Sequence, residues 1–204
     1  MAGENGDDTY IVDNAGDLVT EIASGGLDTV ESAVTFSLAE TVQAIGEIEN
    51  LILLGNANIN GTGNVLANVI SGNAGANRLT ALAGDDTLAG GAGRDVLSGG
   101  DGADKFVFDA TLNKKTNVDT IADFASDDTI VLDRDIFTKL KLGALKDKAF
   151  HEGKKAHDGN DRIIYNDKNG KLIYDKNGDK DGGGKVFAKL VGAPDLDSAD
   201  FLVI

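Results

Sequence analysis

Residues 63–107 read as five nonapeptides in register: GNVLANVIS (63–71), GNAGANRLT (72–80), ALAGDDTLA (81–89), GGAGRDVLS (90–98) and GGDGADKFV (99–107). The eighth position is large and apolar in every copy: Ile70, Leu79, Leu88, Leu97 and Phe106. The sixth carries a short side chain ending in a carbonyl or carboxylate oxygen: Asn68, Asn77, Asp86, Asp95 and Asp104. The first position is glycine except at Ala81, and the fourth is Gly75, Gly84, Gly93 and Gly102 after Leu66. A fixed short period of this kind is the signature of a repeat array in which neighbouring units bury a shared core. Each unit divides into a six-residue turn and a three-residue strand whose middle side chain points inward, because side chains alternate along a strand. Glycine supplies the positive φ that a tight turn requires. Two units then close one coil with a strand on each side, so the sixth positions stack every eighteen residues: Asn68, Asp86 and Asp104 on one edge, Asn77 and Asp95 on the other.

Stacked carboxylates repel one another unless a cation lies between them. Carboxylate and turn-carbonyl oxygens suit Ca²⁺, which accepts about 6–8 oxygens in variable geometry, better than Mg²⁺, which demands a rigid octahedron. The candidate ligands are the side chains of Asp86, Asp95, Asp104, Asn77 and Asn68. To these are added turn residues at the first, third and fourth positions: Gly72, Ala74 and Gly75; Ala81, Ala83 and Gly84; Gly90, Ala92 and Gly93; Gly99, Asp101 and Gly102. Asp8 joins them from an isolated copy at the start of the chain, GENGDDTYI (3–11). Several ions are expected. The competing reading, a flexible Gly/Asp linker, gives no reason for apolar residues to stay in phase with Asp and Asn.

Composition agrees with this picture. The 204 residues include 27 Gly, 1 Pro and no Cys, and Asp outnumbers Glu by 27 to 7 at a net charge of −15. Without cysteine there is neither a disulfide framework nor a thiolate metal site. No apolar run reaches membrane-helix length, and the acidity opposes nucleic acid or an anionic membrane as partner. The charge is uneven: residues 1–104 hold 16 acids against Arg78 and Arg94, whereas residues 105–204 hold 18 acids and 17 bases. The first half must recruit cations or remain expanded.

The repeat resembles the RTX, or hemolysin-type, calcium-binding nonapeptide G-G-x-G-x-D-x-U-x. The match is strongest over 84–107; upstream, Asn68 and Asn77 replace Asp, and Asn64, Asn73 and Leu82 replace the second glycine. The C-terminal half, with GADKFVFD, VDTIADF, DDTIVL, DRIIYNDKNGKLIYDKNGD and the terminal DFLVI, resembles the regions that follow RTX repeats in type I secreted proteins. The resemblance implies a C-terminal signal read by an ABC-type export channel and a secreted or cell-surface location. The same DFLVI could equally be a final strand.

The expected fold is therefore all-β: a parallel β-roll, or β-solenoid, over 1–107, irregular over 1–62 and regular over 63–107, followed by a mostly-β cap and secretion region over 108–204. The runs TYIVD, LVTEI, LDTVES, AVTFSL and IENLILL read as an imperfect extension of the roll, with 40–50 as either strand or short helix. Residues 132–140 read as a short helix or turn, and RIIY and KLIYD as a hairpin about Asn-Asp-Lys-Asn-Gly. KVFAKLVG (185–192) reads as a third strand. DKNGDKDGGG (175–184) spaces its oxygens like a Ca²⁺ loop but lacks the closing Glu, since Ala188 stands there, so a solvated turn is preferred. His151 and His157, the only histidines, read as an exposed loop without zinc spacing. No catalytic constellation is present, and a non-enzymatic calcium-binding module is expected. Its alternative role is adhesion to a surface polysaccharide.

Overall fold

The computed structural model describes residues 1–22, 25–39, 44–178 and 183–204. Two parallel sheets face each other across one core. In the first, the strands Thr9–Val12, Thr29–Ser32, Asn50–Leu53, Val69–Ser71, Thr87–Ala89, Lys105–Phe108, Thr129–Leu132 and Phe201–Val203 follow in order, all parallel, and Gly143–Ala144 closes the edge antiparallel. In the second, Phe36–Ser37, Gly61–Thr62, Arg78–Ala83, Val96–Asp101, Asp119–Ile121 and Gly184–Leu190 run parallel. From Asn50 to Leu132 the chain alternates between the two sheets, as a coil of two short strands must, while Val19–Thr20 and Ala44–Ile45 pair in a separate two-stranded sheet. Among the described residues the helical elements are two 3₁₀ turns, Asp147–Ala149 and Ser198–Asp200.

The register confirms the period. Thr87 faces Val69 and Lys105, and Val96 faces Arg78, each eighteen residues apart. Outside the regular repeats the coil length changes while the pairing persists. It is 20 residues from Thr9 to Thr29, 21 from Thr29 to Asn50, 19 from Asn50 to Val69, and 24 from Lys105 to Thr129. The strand Lys105–Phe108 thus carries the ladder on into the C-terminal half.

The inward side chains stack across the coils. Tyr10, Val30, Leu51, Ile70, Leu88, Phe106, Ile130 and Phe201 form one column, all buried. Leu79, Leu97, Ile121 and Leu190 continue the facing column. Each such side chain contributes about 2 kcal/mol of transfer free energy. In an array, a coil at either end has one face uncovered unless something seals it. The C-terminal seal is an aromatic layer in which Phe187 packs edge-on to Phe108 and Phe137, with centroids 5.1 Å apart in both pairs.

That seal contains the predicted hairpin. Ile163–Asn166 and Lys171–Asp175 pair antiparallel about a turn held by the Gly170 N–H on the Asn166 carbonyl (2.8 Å), and Gly184–Leu190 is the third strand. Residues 133–140 form turns, with the Phe137 N–H donating to the Asp133 carbonyl (2.8 Å). The terminal Phe201–Val203 is a strand built into the first sheet, with Phe201 and Val203 buried. His151 lies on the strand Phe150–Glu152 rather than in an exposed loop, its ring stacked 5.6 Å from that of His157. The expectations for 40–43 and for the core of the 175–184 loop, 179–182, lie outside the described residues.

Candidate metal centre

The sixth-position side chains are arranged as ladders along the two edges of the roll. Each rung is a main-chain N–H donating to the carboxylate one coil further on. Asn68 donates to Asp86 Oδ1 (2.6 Å), Asp86 to Asp104 Oδ1 (2.9 Å), and Asp104 to Asp128 Oδ1 (2.9 Å). On the other edge Asn77 donates to Asp95 Oδ1 (2.8 Å) and Asp95 to Asp119 Oδ1 (3.0 Å). Nearer the N-terminus Asp8 donates to Asp28 Oδ1 (2.8 Å) and Asp28 to Glu49 Oε2 (2.9 Å).

One oxygen of each carboxylate is thereby used, and the second Oδ of Asp28, Asp86, Asp95 and Asp104 is buried without a hydrogen-bond partner. Such an oxygen forfeits its hydration with nothing in return, a penalty that a bound cation removes. Burial, the leading cause, pushes Asp86, Asp95 and Asp104 up to about 6 and Asp119 up to about 8. Asp128 moves in the same direction for the same reason.

The turns themselves fall into two conformations. In 81–86 the second and fourth residues, Leu82 and Gly84, have φ of +90° and +121°, and the same pair is positive at 91/93 and 100/102. In 63–68 and 72–77 neither position is positive. The difference tracks the sixth residue. Where it is Asn, its amide fills the turn. The Asn77 Nδ2 donates to the Ile59 carbonyl (2.6 Å) and to Asn73 Oδ1 (3.1 Å), while Asn77 Oδ1 accepts from the Asn73 N–H (2.9 Å). Asn68 does likewise with the Glu49 carbonyl (3.2 Å), Asn64 Oδ1 (3.0 Å) and the Asn64 N–H (2.7 Å). An NH₂ group here satisfies carbonyls that an Asp would leave facing another negative charge. Leu82 holds the left-handed conformation although it is not glycine, so the stacking of coils, not residue type alone, selects that turn.

Stacking distance accounts for the fourth-position glycines. A Cβ on Gly84 would stand 2.5 Å from the Leu66 carbonyl oxygen one coil back, and Gly93 and Gly102 approach the Gly75 and Gly84 carbonyls in the same way. Gly90 and Gly99 in turn leave room for the free oxygens of Asp95 and Asp104.

The residues singled out by sequence are thus divided. Asp86, Asp95 and Asp104, with Ala81, Ala83, Gly84, Gly90, Ala92, Gly93, Gly99, Asp101 and Gly102, make three turns with buried, unpartnered oxygens; the Gly84 N–H donates to the Asp101 carbonyl across two of them (2.9 Å). Asn68, Asn77, Gly72, Ala74 and Gly75 belong to the amide-closed turns, where the Gly75 N–H donates to Asn73 Oδ1 (2.7 Å). Asp119 and Asp128 were not anticipated. They follow Asp95 and Asp104 by 24 residues and stand nine residues apart, each opening an Asp-Thr-Ile triplet, so the period resumes after a six-residue insertion. Asp123 is a further addition: its Oδ1 accepts from the first-position Gly99 N–H (3.1 Å) and its Oδ2 from the Ser98 hydroxyl (2.5 Å).

Converting an amide-closed turn into a carboxylate turn should trade self-sufficiency for cation dependence. Asn77→Asp removes two donated hydrogen bonds and places a charge under Asp95, so the chelated protein should lose about 2 kcal/mol. Urea unfolding in chelator and in calcium measures this. Equal losses in both would show that the amide and the carboxylate are not alternatives.

Close-stacked turns, each with a buried and unpartnered carboxylate oxygen, make a parallel β-roll suited to hard divalent cations. Residues 62–97 and 71–106 match the family of the RTX calcium-binding nonapeptide repeat (four copies). The segment 62–106 is accordingly an RTX calcium-binding repeat array, and its ligand is Ca²⁺. Among solved structures, the solution structure of the AlgE6R3 subunit of the Azotobacter vinelandii mannuronan C5-epimerase is similar at 27% identity and a TM-score of 0.49, over 73% of this chain and 80% of that one. No curated protein matches.

Proposed function

We propose that this chain is the calcium-responsive folding and export module of a larger secreted protein and does no chemistry of its own. It stays loose in the low-calcium producer, passes an ABC-type channel, and closes into the roll outside or at the cell surface. The observation that carries this reading is the set of buried, unpartnered carboxylate oxygens at Asp86, Asp95 and Asp104. In this reading Asp86, Asp104 and Asp128 hold ions on one edge and Asp95 and Asp119 on the other, helped by carbonyls of the intervening turns. Asn68 and Asn77 keep their turns shut with their own amides.

A ligand stabilises the folded state by RT ln(1 + [L]/Kd), about 1.4 kcal/mol per site at ten times Kd. Extracellular-type sites have Kd of about 10⁻⁴–10⁻³ M, so the low-calcium interior of a cell offers almost none of this. Several sites that share ligands turn a modest gain per ion into a decisive one, because binding is then folding free energy.

In this proposal the roll, expected over 1–107, runs on through the coil of Asp119–Ile121 and Thr129–Leu132, and the cap with the export signal takes up the rest of 108–204. Burial of Phe201 and Val203 within the first sheet supports export before folding, since a signal there is legible to a channel only while the chain is open. No helix among the described residues is long and apolar enough to cross a membrane. Lys139, Lys141, Lys146, Lys148 and Arg162 line one cavity of the cap, and this basic rim favours an acidic surface polysaccharide as a second partner.

Calcium titration of the chelated protein at pH 7.5, followed by circular dichroism, tests the switch. The β signal should rise cooperatively between about 10⁻⁴ and 10⁻³ M. A full β signature in excess chelator, unchanged by calcium, would overturn the reading.

A further inference from the structure

A second kind of acidic centre lies at the N-terminal end of the roll, well outside the matched repeats. Carboxylate oxygens of Asp8, Glu21 and Asp28 come within 4.8 Å of one another. Glu21 and Asp28 are buried, at 4% and 0% exposure. Asp28 Oδ1 is held by the Asp8 N–H, and its Oδ2 is buried with no partner at all. Glu21 accepts from the Tyr10 hydroxyl through Oε2 and from the Ile22 N–H through Oε1 (2.7 Å), which fixes the carboxylate and leaves lone pairs on both oxygens. Gly3 passes so close to Tyr10, Glu21 and Asp8 that a Cβ there would collide with all three side chains.

Nothing in this part of the chain neutralises the cluster. Residues 1–77 contain eleven acidic residues and no Lys, Arg or His, Arg78 being the first base. The N-terminal amine is engaged with the Leu18 carbonyl. Of the three converging carboxylates Asp8 is half-buried and the other two are buried, and a buried charge costs several kcal/mol unless paired.

We propose that Asp8, Glu21 and Asp28 form a separate divalent-cation site of the calcium class, which fastens the turn 3–8 to Glu21 and Asp28. It differs from the repeat sites in kind. Its third ligand, Glu21, comes from beside the strand Val19–Thr20, not from a nonapeptide turn, and its coil measures 20 residues. The all-oxygen, acid-rich donor set suits a hard cation. The side-chain hydrogen bonds at Asp8, Glu21 and Asp28 run to one another and to Tyr10, Ile22 and Glu49, not to Asp86, Asp95 or Asp104, so this site fills and empties independently of the repeats.

Tyr10 gives the site its own reporter. Terbium, a luminescent stand-in for calcium, is excited by a phenol ring only at short range. Tyr165 and Tyr174, the other tyrosines, sit in the hairpin at the far end of the second sheet. Terbium added to the full chain should therefore give tyrosine-sensitised emission that calcium displaces and that Tyr10→Phe reduces at least tenfold. Glu21→Gln should weaken terbium affinity at least tenfold and remove one ion from the calorimetric calcium stoichiometry. It should leave the calcium-induced β signal of the repeats in place. Asp28→Asn, which keeps the bond from the Asp8 N–H, should repeat the Glu21→Gln result. Emission that survives Tyr10→Phe, or a folded Glu21→Gln protein with unchanged affinity and stoichiometry, overturns the site. A protein whose repeats bind no calcium would still show the Tyr10 signal, so the two readings fail separately.

Discussion

In excess chelator, the roll is expected to be least stable near pH 8 and to gain stability steadily as the pH falls toward 4.5, the reverse of ordinary acid denaturation. Asp86, Asp95 and Asp104 sit at about 6 in the folded chain and Asp119 at about 8, against an ordinary 3.8, chiefly through burial. Between the unfolded and folded values the folded state binds more protons than the unfolded one. Stability therefore falls as pH rises through that window, by ∂ΔG/∂pH = 2.303RT(ν_U − ν_N) with a negative difference. The contribution is fully present below about 3.8 and lost above about 6 for three of the groups, and above about 8 for Asp119. Protons and calcium neutralise the same oxygens, so calcium should invert the profile. In millimolar calcium the maximum moves to neutral pH, and binding should release protons most strongly between pH 5 and 7. Urea midpoints across this range, with and without calcium, measure both curves. Metal-free stability that rises toward pH 8 would mean that the buried oxygens of Asp86, Asp95 and Asp104 are not what opposes closure.

Two substitutions in one turn should act in opposite senses. Gly84→Ala should cost about 3 kcal/mol or more, with or without calcium. Its φ of +121° strains any L side chain, and the new Cβ meets the Leu66 carbonyl at 2.5 Å, where the backbone of the preceding coil has no room to yield. Asp86→Asn should stabilise the chelated protein by about 1–2 kcal/mol. Its Oδ1 can still accept from the Asn68 N–H, while its amide removes the buried charge and can donate as Asn68 and Asn77 do. The same change should eliminate one calcium ion. Urea unfolding in chelator, with calorimetric counting of ions, separates the two effects. If Gly84→Ala were rescued by calcium, the glycine would matter for binding and not for stacking. If Asp86→Asn lowered metal-free stability, the amide would not be able to close an Asp-type turn.

Much of this was legible in the chain because the repeat couples two independent signals at fixed phase. Apolar residues at the eighth position specify the core column, and oxygen-bearing residues at the sixth specify the edges. The structure places both where the phase requires. Legibility fails where the phase is interrupted. Asp119 and Asp128 escaped notice because a longer connection after Phe108 shifts the count, although the Asp-Thr-Ile triplets nine residues apart preserve it. Asp28 and Glu49 escaped because coils of 20 and 21 residues have no constant period. The role of Asn68 and Asn77 was hidden for a different reason. Asn and Asp have the same shape and share one oxygen, and only the hydrogen bonds of the other terminal atom reveal that one donates where the other must be neutralised. The docking of Phe201–Val203 beside Thr129–Leu132 spans some seventy residues, and local pattern carries no information about a partner so distant.

Because consecutive units alternate between the two sheets, each edge advances by a pair of units at a time. The molecule can therefore lengthen or shorten only in even steps. A lost pair brings Asp onto Asp and leucine onto leucine again. A lost single unit transposes everything downstream to the opposite side and sets the closing aromatic layer against the wrong face. Within the regular repeats the increment that keeps every side chain on its own side is thus eighteen residues, and not nine.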